Sequence, residues 1–290
     1  MDIITLSIFL GLIVMVSLGI ANSMTKNITA KVGVDQYMVI RTFLCVLFLT
    51  GIFFVGLFEY HFDLTQILFG LSLTLIGYFA LNFLYRGLNI GKIGLVSPVS
   101  SVNVVFAILL TTVFLGVKLS VVQIIAISAI VAGVVLIRLD PKALRDHLTK
   151  NDKTSLNYAL ISGVLMGIFL FASQIPTRTL GPILAPITFE SGSFLVGSFV
   201  LLYRKKKITL PEIRTSVSIV IAIALVTVAT VGLYYGLKNG NPAIILALYS
   251  SNPIVATVYG AIVHKERLTF NQYLAIAIVV AGVISLRVFS

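Results

Sequence analysis

Val131-Ala132-Gly133-Val134 and Val280-Ala281-Gly282-Val283 are the same four residues, 149 positions apart. The offset extends well beyond them. At the same spacing of 149, Tyr85-Arg86-Gly87-Leu88 faces Tyr234-Tyr235-Gly236-Leu237, Ser101 faces Ser250 and Asn103 faces Asn252. Lys118 faces Arg267, Gln123 faces Gln272 and Arg138 faces Arg287, with no gap needed between Tyr85 and Arg138. Chance gives single matches, not a run in one register. The chain is an internal repeat of two units.

Composition says what the units are made of. Of 290 residues, 58% are hydrophobic and only 11% are charged. Soluble domains carry about a quarter charged residues, so this chain cannot cover a water-facing surface. A soluble enzyme, a disordered chain and a nucleic-acid binder are all poor fits on that ground. The net charge of +11 marks membrane rims in a chain this apolar. A spanning helix takes about 20 apolar residues. Spans are expected at 3–23, 37–58, 66–87, 94–115, 119–138, 156–175, 184–203, 214–237, 241–263 and 268–288. The first run begins at Ile3 without a basic leader, so it reads as a retained helix rather than a signal peptide.

Breaks between spans have local causes. Glu59, His61 and Asp63 interrupt the chain after span two, and Asn89, Gly91 and Lys92 after span three. Gly181-Pro182 and Pro186 precede span seven, and the basic run Arg204 to Lys207 follows it as a rim anchor. The long polar stretch 139–155, opened by Asp140-Pro141, reads as a linker between repeats 1–138 and 156–290. Each repeat holds an odd number of spans, so the second enters the membrane from the opposite side. The expected fold is an all-α membrane protein of ten transmembrane helices in two inverted five-helix repeats.

Polar residues inside spans are costly and mark function. Arg41 and Glu190 are repeat equivalents, 149 apart. Each is read as lying about one turn inside the start of its span, at opposite membrane surfaces. That places their heads roughly 20 Å apart, too far to pair directly. Arg41 then either snorkels to its interface or meets a solute anion. Glu190 is the candidate for proton coupling, because burial disfavours a charged carboxylate.

Asn103 and Asn252 fall near the middle of spans four and nine. Their amides should bond each other, a neighbouring helix or a solute. Ser97, Ser100, Ser101, Tyr249, Ser250 and Ser251 surround them. Pro253 removes the backbone bond to the Tyr249 carbonyl, which predicts a hinge beside Tyr249, Ser250 and Asn252. The expected solute-binding set is Asn103, Asn252, Ser250, Tyr249, Ser100 and Arg41. Asn22, Ser23, Ser173, Gln174, Tyr78, Asn82, Tyr234 and Tyr235 are weaker candidates. Ser128-xxx-Ala132 and Ala277-xxx-Ala281 are small-residue faces on spans five and ten, suited to packing or to a homodimer. Cys45 is the single cysteine and reads as a packed apolar residue. No Walker loop, His-Glu-x-x-His or paired intramembrane acids occur, so no catalytic residue, metal or cofactor is expected.

Each half resembles the EamA domain of the drug/metabolite transporter superfamily. The resemblance rests on Asn252-Pro253, on Glu266-Arg267-Leu268-Thr269, on Gly282, and on Arg41. The first half reads Leu115-Gly116-Val117-Lys118-Leu119-Ser120 and then Gly133. It has Val117 where the family often has Glu, and Val104 where Pro253 stands in the second half. The resemblance implies a ten-helix transporter of amino acids, other small metabolites, drugs or nucleotide-sugars, with both termini cytoplasmic. The charge distribution points the other way. Odd-numbered loops and their flanks carry 16 basic residues and the even-numbered side 4, which puts the termini outside by the positive-inside rule.

The expected function is alternating-access transport of a small organic solute such as an amino acid or related metabolite. Export across the cell membrane is the expected direction. The two halves would rock about a central cavity between spans 1–4 and 6–9, with Glu190 carrying any proton. The alternative is an uncoupled facilitator or a lipid or solute flippase, which needs no buried acid. The expected partners are the bilayer and the solute, with no nucleic acid.

Overall fold

A computed structural model describes residues 2–90, 96, 99–138, 149–205, 211–263 and 269–288. Gly91, Lys92, Ser97, most of the 139–155 stretch, Lys206, Lys207 and Glu266-Arg267-Leu268 lie outside the described residues.

A bilayer core offers no water to backbone amides, so an apolar chain satisfies them within helices. The described residues form twelve helices: α1 (Ile3–Val32), α2 (Val34–Val55), α3 (Leu64–Ile90), α4 (Val102–Leu115), α5 (Val121–Arg138), α6 (Lys150–Ala172), α7 (Gln174–Leu180), α8 (Leu184–Tyr203), α9 (Ile213–Asn239), α10 (Pro242–Ser250), α11 (Asn252–Val263) and α12 (Phe270–Val288). Eight helical stretches are long and apolar enough to cross a membrane, counting α6 with α7, and α10 with the start of α11, as single stretches. The described apolar parts of α4 and α5 are shorter.

Two boundaries differ from the sequence reading. α1 runs 30 residues, about 45 Å, and so projects beyond a core of about 30 Å. Span one was expected to stop at Ser23, where the polar residues begin. Those hydroxyls instead bond back to the helix: Ser23 to the Gly19 carbonyl, Thr25 to Ala21 and Thr29 to Thr25. α6 starts at Lys150, inside the stretch read as linker. A capping box closes it there, with Thr149 and Asp152 each accepting from the other's backbone N–H. The spans one–two and six–seven connections repeat a device. Gly33 (φ 80°, ψ 152°) and Gly181 (φ 90°, ψ 172°) both take a backbone that side chains disfavour. At Gly181 a Cβ would also collide with the Glu59 carbonyl oxygen.

Packing follows a two-fold pattern. α3 lies on α6 as α1 lies on α9, and α4 lies on α6 as α10 and α11 lie on α1. α2 pairs with α8 and α5 with α12, each a helix meeting its own repeat equivalent. All of these packings cross from one half to the other. The two sequence halves are therefore interleaved, each packed chiefly on the other. Lipid is as apolar as leucine, so close approach through small residues replaces hydrophobic burial as the packing device. A Cβ on Gly133 would sit 2.5 Å from Val279 and 3.0 Å from the Ala275 oxygen. One on Gly282 would sit 2.8 Å from Ile130 and 3.0 Å from the Ala126 oxygen. Each contact is the other shifted by 149 residues. Ser128, Ala132, Ala277 and Ala281 are not in that seam; they are exposed on its outer side.

Candidate functional site

The α2–α8 pair brings Arg41 and Glu190 together. Arg41 Nη2 donates to Glu190 Oε1 at 3.1 Å and Nη1 to Oε2 at 3.4 Å, a fork on a carboxylate. Their side chains are 22% and 12% exposed. The sequence reading held them too far apart, and the structure overturns it. Arg41 lies seven residues from the start of α2, because that helix begins at Val34 rather than at 37. Glu190 lies six residues from the start of α8. At about 1.5 Å per residue both backbones are about 10 Å deep, not one turn. Across about 30 Å of core this leaves a gap that two long side chains close by leaning toward the two-fold. Symmetry does the rest: helices that pair with their own equivalents present equivalent residues to each other near the axis.

A second ion pair fastens the same helices at the rim. Arg204 Nη1 reaches the Asp35 oxygens at 2.9 and 3.1 Å. Its repeat equivalents are Val55 and Leu184, so this clasp is built at one end of the α2–α8 pair only.

The helix is broken where the hinge was expected. α10 ends at Ser250, Ser251 is a turn, and α11 resumes at Asn252. Pro253 deprives the Tyr249 carbonyl of its helical partner, and Asn252 Nδ2 donates to that carbonyl at 2.7 Å. Asn252 Oδ1 accepts from Asn22 Nδ2 of α1 at 3.0 Å. Ser250 and Ser251 hydroxyls both donate to the Ala247 carbonyl, at 2.6 and 2.9 Å. Ser250 thus has only acceptor capacity left for a solute.

Asn103 and Asn252 do not bond each other. Asn252 is engaged by α1, and Asn103 packs on α6, where a Cβ on Gly167 would lie 2.7 Å from the Asn103 carbonyl oxygen. The same contact recurs between Gly19 and the Asn252 oxygen, at 2.7 Å. The asparagines are symmetry mates facing opposite helices. Ser100 is buried beside the start of α4.

The second helix break, Ser173 between α6 and α7, carries more than the sequence suggested. Gln174 is fully buried, and its Nε2 donates to Thr111 Oγ1 at 2.7 Å and to the Leu170 carbonyl at 3.3 Å. Its Oε1 has no partner among the described residues. Tyr234 interacts with the Ser173 side chain and lies within electrostatic reach of Glu190 and Tyr249. Cys45 is buried on the same helix as Arg41, and its sulfur accepts from Thr227 Oγ1 at 3.6 Å. The ion pair, the two helix breaks and Tyr234 therefore form one polar cluster. Phe189 flanks it, 5.4 Å from the Tyr234 ring and 5.7 Å from that of Phe169. Thr111 was missed because its repeat equivalent is Gly260, so it stands in no repeat register.

Cavities open at the two faces. One of about 440 Å³ lies at the face bearing Ile3, between Val117, Arg178 and the α9–α10 turn. A much smaller one, about 10 Å³, lies beside Asp35, Met38, Tyr78 and Asn82.

Comparison with known proteins gives three results. Residues 5–139 and 154–288 each match the model of the EamA-like transporter family. An uncharacterised protein of Methanocaldococcus jannaschii is 28% identical over 135 residues, 47% of this chain and 97% of its own length. A solved crystal structure superposes with a TM-score of 0.82 at 14% identity, covering 98% of this chain and 99% of that one, a likeness of fold.

Proposed function

The chain belongs to the EamA-like transporter family, and from that premise we propose an alternating-access exporter of a small organic solute in the cell membrane. The family makes it a multi-pass membrane transporter rather than an enzyme. The solute class we infer is an amino acid or related metabolite, carried through ten spans in two inverted halves.

The observation that carries this reading is the Arg41–Glu190 pair beside the broken helix. A pair of opposite charges on symmetry-equivalent positions is a neutral resting state for a site that binds both charges of a zwitterion. A solute carboxylate would take the Arg41 fork and an ammonium group the Glu190 oxygens. Tyr249, Ser250, Asn252, Asn103 and Ser100 would contact the rest, with Pro253 as hinge. Because the main packings join opposite halves, the moving bodies mix the repeats. One contains α3, α4 and α6; the other contains α1, α9, α10 and α11. Proton coupling would act by neutralising Glu190 and so releasing Arg41. The outer small-residue faces of α5 and α12 suit a homodimer.

Reconstitution tests the reading. Wild type in liposomes should move amino acids against their gradient when a proton gradient is imposed, and Glu190→Gln should move them only downhill. Identical pH dependence in the two would remove Glu190 as the coupling group. Downhill flux alone in both would favour an uncoupled facilitator.

A further inference from the structure

The cavity at the amino-terminal face has a composition the transport cycle above does not use. Ile3, Val117, Arg178, Lys238 and the Gly240–Pro242 turn line it, with no acidic residue among its walls. Arg178 and Lys238 make no ion pair among the described residues. Asp2, next in sequence to Ile3, lies within electrostatic reach of Arg287. The even-numbered side carries only 4 basic residues. Two of them line this cavity, and a third, Lys118, adjoins Val117.

The floor is fixed. Asn241 Oδ1 accepts from the Ala243 and Ile244 amides at 3.0 and 3.4 Å, capping α10. The Asn241 amide donates to Ser7 Oγ at 2.7 Å, and that hydroxyl donates to the Ile3 carbonyl at 2.6 Å. α10 has nine residues, about 13 Å, and its far end is the Tyr249–Ser251 break. The cavity therefore opens at one end of the short helix whose other end is the central cluster.

We propose that this cavity is an anion-binding vestibule for a carboxylate or phosphate group. Two cations with no ion-pair partner among the described residues, set against a low-dielectric wall, concentrate counter-ions and raise their encounter rate. The vestibule deepens the transport reading, and rests on it, by giving the solute an anionic group that meets Arg178 and Lys238 before or after it meets Arg41.

Site-directed labelling tests it. Asn239 lines the cavity and is exposed, while Cys45, the single native cysteine, is fully buried. Asn239→Cys therefore supplies one reactive thiol. In phosphatidylcholine nanodiscs an anionic sulfonatoethyl methanethiosulfonate should outpace its cationic trimethylammonium analogue. That rate ratio should fall about tenfold on adding Arg178→Gln and Lys238→Gln. The charge-conserving Arg178→Lys and Lys238→Arg background should keep it. Slowing of labelling by inorganic phosphate or acetate supports a solute vestibule. Slowing only when phosphatidylglycerol enters the disc assigns the anion to lipid and overturns the solute source. An unchanged ratio in the glutamine background overturns the site. Labelling needs no transport, so lost flux with labelling intact counts against the transport reading alone.

Discussion

Neutralising both partners of the Arg41–Glu190 pair should cost clearly less than the sum of the two single neutralisations. Two unit charges about 4 Å apart attract by about 4 kcal/mol at an effective dielectric of 20. The pair is 22% and 12% exposed, so part of that is screened. Removing one member of a fully buried pair typically costs about 3–5 kcal/mol, because a desolvated charge remains. For this partly exposed pair, Glu190→Gln or Arg41→Gln should each cost about 2–4 kcal/mol. The double variant should recover a coupling of about 1–3 kcal/mol. Exchange, Arg41→Glu with Glu190→Arg, should restore most of the stability, because the two positions are symmetry equivalents on paired helices. Equilibrium unfolding in mixed micelles measures all four variants. Independent contributions would add within about 0.5 kcal/mol. Additivity of the two single variants, or an exchange no better than either, would refute the pairing argument.

Other expectations follow from single contacts. Gly133→Val should cost about 1–3 kcal/mol, since even a Cβ there meets Val279 at 2.5 Å; micellar unfolding reads it, and a neutral result would mean the α5–α12 seam is looser than it looks. Asn252→Ala strips a donor from the Tyr249 carbonyl and an acceptor from Asn22, so about 1–3 kcal/mol should go, read by micellar unfolding. Arg204→Gln breaks a rim pair at 35% and 12% exposure and should cost under about 1 kcal/mol, clearly less than Arg41→Gln. A cytoplasm-active reporter at the carboxyl end distinguishes the orientation implied by the 16-to-4 charge split from that implied by the family: activity there refutes the charge argument.

Much of this protein follows from sequence. Period and composition determined helices in a bilayer, since no other open structure satisfies an apolar backbone there. The 149-residue register determined a repeat of two units. Pro253 determined the break at Ser251, because a missing N–H frees a carbonyl whatever surrounds it. The same register also held the fact that Arg41 and Glu190 are equivalents. It could not say that they touch. That needed the true depth of each residue and the knowledge that α2 pairs with α8, and side-chain reach then closed the gap. Tertiary structure alone decided that Asn252 bonds Asn22 rather than Asn103, and that Gln174 of one half holds Thr111 of the other. It also decided that the halves interleave. A repeat fixes what each unit resembles, whereas the faces that the units bury fix which helices pack together.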